Sequence, residues 1–207
     1  MCACPGTALC DRCRGALRRL RPPLCARCGS PGAWPVRRCA ECSGRRLAFT
    51  SARAAVVYDE RARAFVRQWK ERGRRSLARH AAGLVAEVVP RPDVDAIAFV
   101  PGDPERARAR GDVAPRGLAR ALSSTWQLPV LDLLRRERAL PRQRGLTLAD
   151  RRRNVRGSVR AVAKATSAIL LVDDVYTSGA TADASAAALK RSGARRIEVV
   201  TLARAVR

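Results

Sequence analysis

The sequence predicts an α/β fold, a parallel sheet flanked by helices, with a small cysteine-rich segment ahead of it. Short apolar runs alternate with longer Ala/Arg/Leu stretches whose apolar residues recur every three or four positions, the pattern of strands separated by helices. One run, AILLVDD at 168–174, is apolar without alternation, as a strand covered on both faces must be. All eight cysteines lie at or before position 42, so the composition changes sharply near residue 50. A ribbon over 1–48 and an α/β domain over 49–207 follow.

In the α/β part, AAVVY at 54–58 reads as a strand. Residues 60–89 carry helical spacing broken at Gly73, hence two helices. AIAFVP at 96–101 is a strand ended by Pro101, RGLARALSSTW at 116–126 a helix, and LPVLDLL at 128–134 a short strand. After the buried strand, ADASAAALKRSG at 182–193 is a helix with Lys190 and Arg191 in its last turn and Gly193 as its stop. RIEVVTLARA at 196–205 is the final strand.

The formal charge is +24, and of 42 basic residues only Lys70, Lys164 and Lys190 are lysines. Such a charge suits polyanions: nucleic acid, phosphorylated metabolites or anionic lipid. The joint excess of alanine and arginine has a competing compositional cause, the codon bias of a GC-rich genome. No apolar stretch reaches the roughly 18 residues of a membrane span, and no signal pattern opens the chain, so the expected compartment is the cytoplasm.

In a reducing compartment the cysteines need a role other than disulfides. Cys25 and Cys28, with Cys39 and Cys42, form two C-x2-C pairs that together offer a complete four-thiolate zinc site. Gly29 supplies the backbone freedom that such a knuckle needs. Cys10 and Cys13 form a third pair, sharing an ion either with Cys2 and Cys4 or with a later pair, so the ribbon is single or double. Closed Cys4 sites leave no open coordination position, so the zinc is read as structural. Ten arginines against two acids in the first 50 residues make the ribbon a basic docking surface for single-stranded DNA or a protein partner. Trp34, its one large aromatic before Phe49, is little for base stacking.

The chemistry gathers at ILLVDDVYTSGAT, residues 169–181. In an open parallel sheet, ligands bind beyond the carboxyl ends of the strands, where Asp173 and Asp174 fall. Thr177, Ser178, Gly179, Ala180 and Thr181 then lead into a helix, presenting backbone N–H groups and a positive dipole end to a phosphate. The two carboxylates would repel that phosphate unless they accept hydrogen bonds from sugar hydroxyls on the same ligand. A 5-phosphorylated ribose meets both demands. The chain has no Gly-Lys dipeptide and hence no P-loop, and its acids are adjacent rather than Asp-x-Asp. His80, the only histidine, has no acid or nucleophile neighbour and is read as a helix-face residue.

This stretch resembles the phosphoribosyl pyrophosphate (PRPP) motif of type I phosphoribosyltransferases. Together with the ribbon and segments 58–78, 100–111, 143–158 and 193–205, the whole chain resembles the ComF/GntX family, competence-associated proteins with a type I phosphoribosyltransferase-like domain. The resemblance implies a glycosyltransferase-type site in which Asp173 and Asp174 act on the ribose hydroxyls and residues 177–181 on the 5′-phosphate. It further implies that Lys70, Arg106 and Arg110 meet a pyrophosphate carried with Mg2+, and it places Arg151 and Asn154 in an R-x-x-N segment. The chain departs from the family at Val100-Pro101-Gly102, where V-P-L is usual, and at Arg110-Gly111-Asp112-Val113-Ala114, where R-G-F-N-Q is usual. Two readings stand: transfer of phosphoribose to a nitrogenous base with release of pyrophosphate, or binding of PRPP or a nucleotide without transfer.

Overall fold

The computed structural model describes residues 8–102, 114–137, 155 and 157–206. Its centre is a four-stranded parallel sheet built from β1 (Ser51–Val57), β2 (Ala96–Phe99), β5 (Ala168–Tyr176) and β6 (Arg196–Arg204) in the spatial order β1-β6-β5-β2. Ile169, Leu170, Leu171 and Val172 of β5 are all fully covered, which explains the unalternating apolar run. One apolar cluster joins Leu170, Val172 and Val200 to α2 (Glu60–Glu71), α3 (Leu77–Ala86) and α4 (Ala114–Trp126). A second joins Ile169, Leu171 and Val199 to α5 (Ala180–Arg191) on the opposite face. The parallel sheet flanked by helices is therefore the observed architecture.

The helices start and stop where their residues dictate. Asp59 caps α2, its Oδ1 accepting from the Ala62 N–H at 3.0 Å. The chain then turns through Gly73 before α3 begins. The Ala-rich α5 buries Ala182, Ala186 and Leu189, small residues that let it lie close to the sheet.

The segment 128–136 corrects one expectation. LPVLDLL does not form one strand: Val130 makes a single parallel bridge to Ile97, extending the sheet beyond β2. The chain then leaves the sheet, and β3 (Leu134–Arg136) pairs antiparallel with β4 (Val159–Ala161) as a separate ribbon. Asp132 has no apolar partner to seek and stays exposed, so the strand pattern divides around it.

The N-terminal segment contains a short helix α1 (Asp11–Gly15) and then runs beside β1, where the Leu20 N–H donates to Ala55 O at 2.9 Å and the Val57 N–H to Arg18 O at 2.8 Å. Cys25, Cys28 and Cys42 share the second apolar cluster with Phe49, Ala52 and Tyr176, so the knuckles pack on the sheet. Among the described residues, no helix is long and apolar enough to cross a membrane.

Candidate functional site

Asp173 and Asp174 lie near the carboxyl end of β5, two residues before it closes at Tyr176, and Lys70 acts on both carboxylates. Asp174 follows Val172 toward the α2 side, where its carboxylate forms an ion pair with Lys70 in the last turn of α2. Asp173 feels both Lys70 and Arg136 of β3. Each carboxylate also accepts the next backbone N–H: Asp174 N to Asp173 Oδ1 at 2.8 Å, Val175 N to Asp174 Oδ1 at 2.9 Å. The alternation of faces seen up to Val172 shifts across this stretch, because Val175 packs with the α2 side and Tyr176 with the opposite cluster. Burial pushes the Asp173 carboxyl up to about 6, against the pull of Lys70 and Arg136.

The loop after β5 turns at Gly179, whose φ of +72° opens α5. A Cβ there would lie 2.2 Å from the Tyr176 hydroxyl oxygen, so both conformation and contact require glycine. Ser178 is buried with its Oγ accepting from the Ala180 N–H at 3.3 Å, while Thr177 and Thr181 are half-buried. The loop thus delivers a helix N-terminus beside two carboxylates, the juxtaposition expected for a phosphorylated sugar. Of the cations expected to meet a pyrophosphate, Lys70 lies at this edge. Arg106 and Arg110 lie outside the described residues, as do Arg151, Asn154 and most of the 110–114 departure. On α3, His80 has its pKa lowered by burial and then by the charges of Arg14 and Arg79.

Two neighbours escaped the sequence reading. Arg136 donates to the Pro101 carbonyl from Nε (3.4 Å) and Nη2 (3.2 Å), which sets a guanidinium between the carboxyl end of β2 and Asp173. Arg204, at the end of β6, is 1% exposed, and its Cζ lies 4.5 Å from the Tyr176 ring centroid. In a chain so rich in arginine no sequence signal separates these two from solvated ones. Only the burial of a long apolar strand up to position 204 hints that the last is special.

The four cysteines Cys25, Cys28, Cys39 and Cys42 converge, their sulfurs all within 4.8 Å of one another. Separations of 3.7 Å (Cys25–Cys42), 3.4 Å (Cys28–Cys39) and 3.9 Å (Cys39–Cys42) match the roughly 3.8 Å edge of a tetrahedron with 2.3 Å zinc–sulfur bonds. Burial pushes the Cys25 thiol up, but backbone donors including the Cys39 N–H outweigh it and bring it to about 6. Burial instead raises the Cys28 and Cys42 thiols, so it is the tetrahedral convergence of the four sulfurs that fits a metal. Gly29 at φ +70° closes the first knuckle against Ala52 O, 2.4 Å from where a Cβ would stand. Cys10 and Cys13 are half-buried outside this cluster, and Cys2 and Cys4 lie outside the described residues.

A groove of about 910 Å³ runs between residues 15–24 and the end of α3. Arg18, Arg19, Arg21 and Arg53 line it, with Glu87 as the lone acid. Glu87 is taken by Arg14 and Arg19, leaving Arg18 and Arg21 without an acidic partner among the described residues. Trp34, between the two knuckles and near Arg37 and Arg38, is 77% exposed.

No family model matches this chain. It is similar to the DNA utilization protein YhgH of Salmonella typhi, 29% identical over 210 residues, covering 95% of this chain and 90% of the relative. The protein of the same name from Salmonella typhimurium is 29% identical over 208 residues with the same coverage. Among solved structures, the glutamine PRPP amidotransferase of B. subtilis, complexed with ADP and GMP, aligns with a TM-score of 0.43 and 19% identity. That alignment covers 61% of this chain but 26% of the enzyme, so the chain spans about a quarter of its length.

Proposed function

We propose that this chain binds PRPP at the carboxyl end of β5 and acts as a phosphoribosyltransferase-like protein of the ComF type. One observation carries the reading: two adjacent, buried carboxylates stand near the carboxyl end of β5, a few residues before a glycine-hinged loop that opens a helix. Asp173 and Asp174 accept hydrogen bonds from the ribose hydroxyls. Residues 177–181 hold the 5′-phosphate through backbone N–H groups and hydroxyls. Lys70 and Arg136 keep two carboxylates compatible with a polyphosphate ligand, and Arg106 and Arg110 add to the cationic side. Mg2+ enters with the diphosphate, as part of the substrate.

In the transfer reading a base nitrogen forms the new bond to C1′. The C1′–O bond to pyrophosphate breaks, its electron pair leaves with the pyrophosphate, and the nitrogen loses its proton to solvent. The protein contributes positioning and charge stabilisation. The test is a PRPP titration with Mg2+, with and without a panel of bases. A rise in melting temperature that Asp174→Asn abolishes supports the site, and pyrophosphate release with one base supports transfer. No rise in the wild type, or an equal rise in the variant, removes the site from consideration.

The arginine groove favours a second reading, in which the basic N-terminal segment holds single-stranded DNA while the pocket binds PRPP or a nucleotide without transfer. The names of the two Salmonella relatives agree with a role in handling DNA. Phosphates would lie along Arg18 and Arg21, whose charges no acid among the described residues takes up. Exposed Trp34 offers one face on which a base can stack. Binding of an oligodeoxynucleotide should weaken steeply with salt, and Arg18→Ser with Arg21→Ser should reduce the slope of log affinity against log salt by about 1 to 1.5. An unchanged slope excludes the groove.

A further inference from the structure

The metal cluster and the ligand loop touch through one buried cation. Arg204 Nη1 donates to the Cys28 carbonyl at 2.8 Å, and Nη2 approaches the Cys28 sulfur at 3.7 Å. The same Nη2 pairs with Glu41, which stands between Cys39 and Cys42. On its other side the guanidinium stacks over the Tyr176 ring, and the hydroxyl of that ring fills the space beside Gly179. Arg204 and Tyr176 are also cross-strand partners in the β5–β6 pairing. A second tether runs in parallel: the Ala48 N–H, just past the knuckles, donates to Asp183 Oδ1 in the first turn of α5 at 2.7 Å.

We propose that Arg204 is a positioning residue that links metal occupancy of the Cys25–Cys28–Cys39–Cys42 site to the geometry of the 177–181 loop. The proposal rests on reading that loop as the ligand's phosphate site. Its physical basis is geometric: a metal would tie the first knuckle, whose Cys28 carbonyl accepts from Arg204, to the second, whose Glu41 pairs with the same arginine. A closed zinc–thiolate site of four cysteines carries a net −2, and a guanidinium donating to a ligand sulfur and to its backbone orients that site from outside. With metal bound, the buried cation has two counter-charges on one side, the thiolate cluster and Glu41, and it remains stacked on Tyr176. Without metal the two knuckles are no longer tied together, and Glu41, 26% exposed on its side chain, is released from its place beside Cys28. The guanidinium then follows Glu41 toward water, because an unpaired buried charge is costly. Tyr176 loses its stacking partner, and Gly179 loses the ring that fixes its turn. Linkage is reciprocal, so a ligand that orders the loop also tightens the metal.

The experiment uses the full-length zinc-loaded protein. Hydrogen exchange of residues 177–183 is measured with zinc and after its removal by a chelator, with α4 as the internal reference. Zinc removal should speed loop exchange about tenfold while α4 stays unchanged. Arg204→Lys keeps the cation but loses the planar fork, and its zinc-loaded form should already show the fast loop and release zinc faster to a chromophoric chelator. Glu41→Gln, a milder change at a partly exposed position, should give the same two effects at smaller size and serves if the lysine variant does not fold. Loop exchange that ignores zinc, or that rises only together with α4, overturns the proposal. PRPP affinity is measured separately. A loop that responds to zinc in a protein that binds no PRPP upholds the linkage and defeats the ligand reading, whereas PRPP binding with a loop indifferent to zinc does the reverse.

Discussion

The ammonium group of Lys70, at the end of α2, forms an ion pair with the buried carboxylate of Asp174, near the end of β5. The pair joins two elements far apart in the chain across the carboxyl end of the sheet. Lys70 is 40% exposed on its side chain and Asp174 only 6%, so the acid depends on the pair more than the lysine does. Lys70→Met should destabilise the protein by about 1–2 kcal/mol, less than the loss for a fully buried pair because solvent reaches the lysine side. Adding Asp174→Asn should recover most of that loss in a double-mutant cycle read by thermal melting. If the two losses simply add, the pair contributes nothing.

Asp173 gives a pH signature with two opposite signs. Its carboxyl titrates near 6 in the folded protein, above the usual 3.8, because burial disfavours the charge. Between these values the folded state holds a proton that the unfolded state has lost, so stability falls as pH rises from about 4 to 6, by roughly 3 kcal/mol in total. Asp173→Asn should remove that decline and be more stable than the wild type at pH 7. Ligand affinity should move the other way, rising through pH 6 as the carboxylate that accepts from the sugar hydroxyls forms. Denaturant melts and PRPP titrations over pH 4–8 check both slopes.

Gly179 and Gly44 have nearly the same positive φ, +72° and +70°, but different surroundings. A Cβ at Gly44 meets nothing within 4 Å, whereas one at Gly179 collides with the Tyr176 ring. Gly44→Ala should cost about 1 kcal/mol of backbone strain and leave PRPP binding intact. Gly179→Ala should cost more and abolish binding. The melting temperature and the PRPP-induced shift, measured in both variants, separate strain from loss of the loop.

The metal count tests the arrangement of the ribbon. Chelation should remove zinc and loosen residues 25–42 locally, because the Cys25, Cys28 and Cys42 side chains it ties together are packed against the sheet. Cys25→Ser should lose that ion. Cys10→Ser should leave it in place, and zinc per chain in this variant should fall from two to one if Cys2, Cys4, Cys10 and Cys13 hold a second ion. An unchanged count leaves one site per chain.

Much of this arrangement is written locally. The unalternating apolar run up to Val172 specifies a strand covered on both faces, and the two acids that follow fall near its carboxyl end, with Val175 and Tyr176 still paired beyond them. The break at Gly73 divides α2 from α3 as the spacing predicts. The LPVLDLL stretch misleads because its pairing partners, Ile97 for Val130 and residues 159–161 for 134–136, are chosen across long separations. Arg136 and Arg204 were invisible for the same reason: what distinguishes them from dozens of other arginines is the neighbour each one meets.

By itself the sequence determined the residue types at the strand end, the glycine at the turn and the cysteine spacing, since each follows from backbone geometry within a few residues. The tertiary structure alone decided which cation faces which carboxylate, and that the knuckle at Cys28 lies one guanidinium away from Tyr176. Those relations depend on how elements pack across the sheet, and packing is set by complementary surfaces from distant parts of the chain rather than by any local pattern.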